Sequence, residues 1–267
     1  MSTPSQLIDQ KQWDEGWKST TVQNWQPLDS SPTPGQQAWA AYLLARVSDG
    51  AKVLEIGCGN SHALPFLARV KKAEVWGIDF APNGLESAQY GLDREGVSGK
   101  LVLGDALARN DLPDAYFDIV LSMGVIEHFP PATNSAALSQ FGRYLQPNGR
   151  MITEIPNMVG FVGVVTQLLD RQLYDQHIRL DKDDLDRIHQ AAGLEVVDRA
   201  RYIGGFDIYT LNHERLKMRL PKPIYWPLLK SAASMQRVHR RLFAGHDSQA
   251  LSPYTVGTYR KSLTAPA

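Results

Sequence analysis

The chain has 267 residues, with 28 Lys and Arg balanced by 28 Asp and Glu, and 43% hydrophobic residues. Balanced charge excludes the basic footprint of a nucleic-acid binder, and nothing global draws the chain to an anionic membrane. The single cysteine, Cys58, excludes an internal disulfide and a Cys/His metal cluster, which fits a reducing, cytoplasmic setting. Met1 to Gln12 is polar and lacks the apolar core of a signal peptide. The longest apolar stretch, around Met158 to Leu169, is too short to span a bilayer.

Residues 1–35 are rich in Ser, Thr, Gln and Pro yet carry Trp13, Trp17 and Trp25. Trp13 and Trp17 share one face of a helix, so the segment reads as a helix and strap over the main domain, its rings filling core or covering a ligand. Gln36 to Val47 has one apolar helical face. Residues 52–56 form a first strand, broken by Gly57 and Gly59 before a helix over 61–71. Glycines in such a turn let a ligand touch bare backbone, and the free N–H groups of the new helix point at it. A nucleotide-like cofactor is implied, but not a dinucleotide: His62 stands where the third glycine of G-x-G-x-x-G belongs. Strands follow at Glu74–Asp79, Lys100–Gly104, Phe117–Ser122 and Arg150–Ile155, separated by helices from Pro82 to about Glu95 and from Asn134 to Leu145. Alternation at this spacing specifies a parallel sheet with helices on both faces. The carboxyl ends of its strands are Glu55–Asn60, Asp79–Phe80, Asp105–Ala106 and Ser122–His128, all polar or glycine-bearing, and ligands bind at such ends.

Together VLEIGCGNS (53–61), GIDFAPNGLESA (77–88), LVLGDAL (101–107), LPDAYFDIVLSMGVIEHF (112–129) and YLQPNGRMITEIPN (144–157) resemble the class I S-adenosylmethionine-dependent methyltransferases. The resemblance covers roughly residues 50–200, with Ser61 and Asn148 in place of frequent glycines. It implies a Rossmann-like seven-stranded sheet, mostly parallel with the last strand antiparallel, and S-adenosylmethionine as cofactor, S-adenosylhomocysteine as product. It further implies that the backbone of Gly57, Cys58 and Gly59 borders the methionine part and that Glu55 helps hold its amine side. Asp79 would bind the ribose, Phe80 flank the adenine, and Asp105 accept from the adenine amino group beside Ala106. Ser122, Met123 and Gly124 would pass under the sulfonium, and Trp17 would cover the cofactor. Read without the resemblance, Asp79 and Asp105 are N-caps of following helices.

After Pro156 comes an apolar helix over 159–170, then a helix capped by Asp181 or Asp183 and a strand over 194–201. His177-x-Arg179 before that helix resembles methyltransferases of sugars and other small natural-product hydroxyls. A hydroxyl acceptor needs a base, and His128 and His177 are the candidates, with His128 alternatively a structural residue of its loop. His189 reads as a surface residue, and His213, His239 and His246 belong to an insertion. Ubiquinone-pathway O-methyltransferases carry E-x-x-E-H here and bind a metal; Gly124 replaces the first acid, so no metal is expected. Residues 205–250 are basic, and Leu228, Ala232, Met235, His239 and Leu242 give an amphipathic helix. It packs on the core or, through 224–243, touches a membrane. The expected organisation is an N-terminal cap (1–48), a cofactor-binding core (49–204) with an acceptor-side cover (157–185), a helical insertion (205–252) and a last strand with tail (253–267). The expected reaction is methylation of a small-molecule acceptor, with no nucleic-acid partner. N- or C-methylation by proximity, or a non-catalytic S-adenosylmethionine-binding scaffold, are the alternatives.

Overall fold

The computed structural model describes residues 10–18, 25–31, 33–108, 110–207 and 246–262, with nine further positions from 221 to 241. The expected amphipathic stripe of the insertion, His213 and most of the insertion's basic residues lie outside the described residues. The described positions Pro223, Ile224, Pro227, Lys230, Ser231, Ser234, Val238 and Arg241 are helical and exposed.

The chain runs α1 (Gln10–Lys18), α2 (Pro34–Leu44), β1 (Lys52–Ile56), α3 (Ala63–Lys71), β2 (Glu74–Asp79), α4 (Pro82–Glu95), β3 (Lys100–Leu103) and β4 (Phe117–Met123). It continues through α5 (Asn134–Gly142), β5 (Leu145–Pro156), α6 (Phe161–Leu169), α7 (Arg171–Asp175), α8 (Lys182–Ala191), β6 (Leu194–Ile203) and β7 (Tyr254–Lys261). The seven strands form one sheet in the order β3-β2-β1-β4-β5-β7-β6, parallel except for β7, which runs antiparallel to both neighbours.

Val53, Leu54, Val120 and Leu121 are fully buried, because helices cover both faces of a parallel sheet. Val53 and Leu121 join a core with Trp39, Leu43, Phe66 and Leu67, whereas Leu54 and Val120 join one with Phe117, Phe141, Tyr144 and Leu185. Pro82 opens α4 at its first turn, where its missing N–H costs nothing, and Gly96 closes it at φ +64°. Asp181, not Asp183, caps α8: its side chain accepts from the Asp184 N–H while Asp184 accepts from the Asp181 N–H.

β5 begins five residues earlier than its apolar run suggested, because Leu145 already pairs with Phe117. His189 is a clear correction: it is fully buried, not on the surface. Its Nδ1 lies 2.7 Å from the Leu185 carbonyl and its Nε2 2.8 Å from Thr153 Oγ1. The ring stacks on Tyr259 at 3.6 Å. Insertion of β7 between β5 and β6 brings that tyrosine over α8.

Among the described residues no helix is long and apolar enough to cross a membrane.

Candidate active site

The turn after β1 is held by backbone hydrogen bonds to β2: Gly57 N and Cys58 N donate to Ile78 O at 2.9 and 3.1 Å. Gly57 and Gly59 both have positive φ, +67° and +29°. A Cβ on Gly57 would lie 2.6 Å from a Val125 methyl, and one on Gly59 2.4 Å from the Trp17 ring, so the turn needs glycine twice over. Asp79 ties this turn to the next. Its Oδ2 accepts from Gly59 N and its Oδ1 from Ala81 N, both at 2.8 Å, leaving each oxygen lone-pair capacity for a ligand.

Neither Asp79 nor Asp105 is a helix N-cap. The cap position of α4 is Ala81, and Asp105 accepts from Leu107 N at 2.8 Å in a turn that no helix follows. α3 is capped by Ser61, whose Oγ accepts from Leu64 N and whose hydroxyl donates to Glu55 Oε2 at 2.5 Å. His62 makes no cap; it stacks on Trp25 and places Nδ1 2.9 Å from Gln26 O. Burial pushes the Glu55 carboxyl up to about 8 despite the Ser61 hydroxyl.

These turns enclose a cavity of about 290 Å³. Its wall includes Trp17, Glu55, Gly57, Cys58, Gly59, Asp79, Phe80, Asp105, Ala106, Met123, Gly124 and His128. Ser122 is the exception among the expected cofactor residues: it is fully buried on β4 and does not line this cavity, because period-two alternation turns its side chain away from the cleft. α1 closes one side, pinned by Gln10 Nε2 donating to Phe80 O and by Asn83 N donating to Asp14 Oδ1 at 2.9 Å. The glycine cradle, the carboxylate ending β2 and a buried, unpartnered Asn60 Oδ1 in the wall fit an adenosyl group with a charged amino-acid end.

A second cavity, of about 520 Å³, shares Trp13, Gly124, His128, Glu154 and Tyr254 with the first. His177, Gln176 and Leu173 wall it from the cover segment. His128, in the turn Ile126–His128, is buried with its Nδ1 2.8 Å from Gln176 O. His177 places Nδ1 2.7 Å from Leu173 O. Each Nδ1 must therefore carry the proton, which leaves Nε2 of each neutral ring with a lone pair. The rings lie 4.5 Å apart, with Trp13 edge-on to His128 at 5.0 Å.

Burial, and then the neighbouring His177, holds His128 down at about 3 against the pull of the Gln176 carbonyl. Burial also lowers His177. Glu127 and Glu154 are buried beside them, and burial pushes Glu127 up to about 8. Burial, with Glu127 and Glu55 close by, raises Glu154 well above the usual carboxylate range. Glu127, His128 and His177 each offer one ligand atom, all within 4.8 Å of one another, a spacing that also suits a metal ion.

The structure brings together His128 and His177, 49 residues apart in sequence, as the sequence expected of the rim and its cover. The contact of Trp13 with His128, and Tyr254 as the first residue of β7, were not singled out. Tyr254 carries no local signal, since only the antiparallel pairing of Pro156 with Tyr254 sets it at the strand ends.

Residues 53–149 match a family model described as a methyltransferase domain. A ubiquinone biosynthesis O-methyltransferase from Azoarcus sp. is 31% identical over 157 residues, 55% of this chain and 66% of that protein. A sterol 24-C-methyltransferase from Gibberella zeae is 29% identical over 196 residues, 72% of this chain and 48% of that protein. The chain thus spans about half to two thirds of the length of these curated relatives. Among solved structures, the [4+2]-cyclase SpnF superposes with a TM-score of 0.65 at 18% identity, covering 99% of both chains. That likeness shows the fold alone, and the fold does not fix the reaction.

Proposed function

We propose that this chain, which belongs to the class I S-adenosylmethionine-dependent methyltransferases, methylates a hydroxyl of a small molecule such as a sugar or natural product, with His128 or His177 as general base. Bound in the glycine-lined cleft, S-adenosylmethionine supplies an electrophilic methyl on a sulfonium. The observation that carries the reading is the second cavity, joined to that cleft and holding two imidazoles whose Nδ1 atoms are tied to carbonyls. A free Nε2 there takes the proton an aliphatic hydroxyl must lose. His128 stands where the two cavities meet, and His177 is the less buried of the two. Trp13 and Trp17 on α1 keep water from the junction, and the walls align nucleophile and methyl group, the larger share of the rate. Metal is not part of the scheme, since an ion on Nε2 would consume the lone pair the base uses. Relatives named as O- and C-methyltransferases support the methyl-transfer class without choosing the atom.

The test is turnover of the His128→Ala and His177→Ala variants against a panel of sugars and phenols. One of the two should lose about 10²–10⁴-fold in kcat with S-adenosylhomocysteine affinity intact. Burial favours the neutral ring, so the rate of the unmutated enzyme should fall only below the ordinary histidine value of 6.5. Activity should survive exhaustive chelation; a loss restored by a divalent ion would transfer the two imidazoles and Glu127 to a metal. If both variants turn over normally, the acceptor atom is a nitrogen or carbon methylated by proximity.

A further inference from the structure

Glu127 and Glu154 have no duty in the scheme above, yet both wall the second cavity at 1% and 6% exposure. Among the described residues, neither oxygen of Glu127 nor Oε1 of Glu154 has a hydrogen-bond partner. His128 Nε2 lies 3.9 Å from Glu127 Oε1, beyond a hydrogen bond. Buried carboxyls without partners are unfavourable, and they persist where a ligand completes them.

Local structure sets the two side by side. Met123 pairs with Glu154 across β4 and β5, and Gly124 N donates to the Glu154 carbonyl at 3.0 Å. A Cβ on Gly124 would lie 3.7 Å from Glu127 Oε1, in ordinary contact with that carboxyl. Glu15 adds a third acid to the same wall, and no Lys or Arg lines either cavity among the described residues. The imidazoles are neutral, and burial keeps the two carboxyls protonated until a cation between them favours their ionised form. A low-dielectric cavity with acids alone selects a cation. Trp13 and Tyr254 supply aromatic surface against which an alkylammonium is favoured over a neutral group.

We propose that the acceptor carries a protonated amine that docks between Glu127 and Glu154. The inference rests on reading the second cavity as the acceptor site. The amine is an anchor and not the methylated atom: an ammonium has no lone pair with which to attack. Holding it at the two acids leaves a hydroxyl elsewhere on the molecule to meet an imidazole.

The test is calorimetric titration of protein saturated with S-adenosylhomocysteine, using matched probes: glucosamine against glucose, and tyramine against p-cresol. At least one amine should bind about tenfold or more tightly than its neutral partner. Glu127→Gln and Glu154→Gln, each preserving shape, should each remove that preference, and Glu127→Gln, which lies outside the cofactor cleft, should leave S-adenosylhomocysteine affinity unchanged. Equal affinity within both pairs, no binding by either amine, or a preference that survives both substitutions overturns the proposal. So does Mn²⁺ binding that both substitutions abolish while the amines show no preference, because the acids would then serve a metal. The S-adenosylhomocysteine titration is run first. Failure there sinks the cofactor cleft itself, whereas loss of the amine preference with that ligand bound sinks this inference alone.

Discussion

Asp79 is the residue on which the cofactor cleft turns. It is 6% exposed and bonded to the N–H groups of both Gly59 and Ala81, so one carboxylate fixes two strand-end turns and still faces the cavity. As the proposed ribose ligand, it would on replacement take away a ligand contact as well as loosen the glycine turn. Asp79→Ala should therefore weaken S-adenosylhomocysteine by about 1–3 kcal/mol, the usual value of charge-assisted hydrogen bonds, as read by calorimetry. An unchanged affinity would mean that the carboxylate serves the fold only. The histidine pair is legible at this scale as residue type and approximate place. The state of the rings is not, because it follows from the carbonyls of Gln176 and Leu173 that the cover segment folds against them.

Among the elements, α8 shows how a helix that reads as solvated becomes part of the core. Half of its ten residues are Lys, Arg or Asp, and only Leu185, Asp186 and His189 are buried. His189 spans from the Leu185 carbonyl to Thr153 on β5 and lies flat on Tyr259 of β7, joining three elements with one ring. Asp186 reinforces the same seam by accepting from Ala200 N and the Tyr259 hydroxyl, both at 3.0 Å. His189→Ala leaves a cavity and strands Thr153 Oγ1, which should cost about 2–4 kcal/mol in chemical denaturation. A loss under half a kcal/mol, the size of an ordinary surface change, would contradict the buried placement. α1 illustrates the opposite case: its tryptophan spacing announces a helix with one aromatic face. What that face covers is decided by Gly59 and Gly84, whose missing side chains make room for Trp17.

For the whole molecule, buried titratable groups of both kinds give stability an unusual pH profile. His128 and His189 are held at about 3 against an ordinary 6.5. The unfolded chain binds more protons in that window, so their contribution is complete above 6.5 and is lost as pH falls toward 3. Glu55 and Glu127 are pushed to about 8 from an ordinary 4.5. There the folded chain binds more protons, so stability is complete below 4.5 and is lost as pH rises toward 8. The two trends offset each other between 4.5 and 6.5. Urea midpoints should accordingly be flat across that interval and decline from there to pH 8, with Glu127→Gln reducing the decline. A midpoint that rises between 6.5 and 8 would show that these carboxyls ionise in the folded protein without penalty.

The same scale separates what sequence determines from what folding decides. Strand–turn–helix alternation depends on residues a few positions apart, so β1 to β5, the glycine turn, and Asp79, Phe80 and Asp105 at strand ends could be read directly. A parallel sheet then forces those ends onto one edge, which is why most expected cofactor residues share one cavity. Side-chain direction was harder: Ser122 lies at the expected strand end but is fully buried there. Contacts across long loops carry no local signature. Glu127 meets Glu154, His128 meets His177 and Tyr254 reaches the cleft only because β5, the cover segment and β7 converge there. Chain order supplies the residues, but the antiparallel insertion of β7 and the fold-back of residues 171–177 choose their neighbours. Those neighbours set burial and protonation, and with them the chemistry.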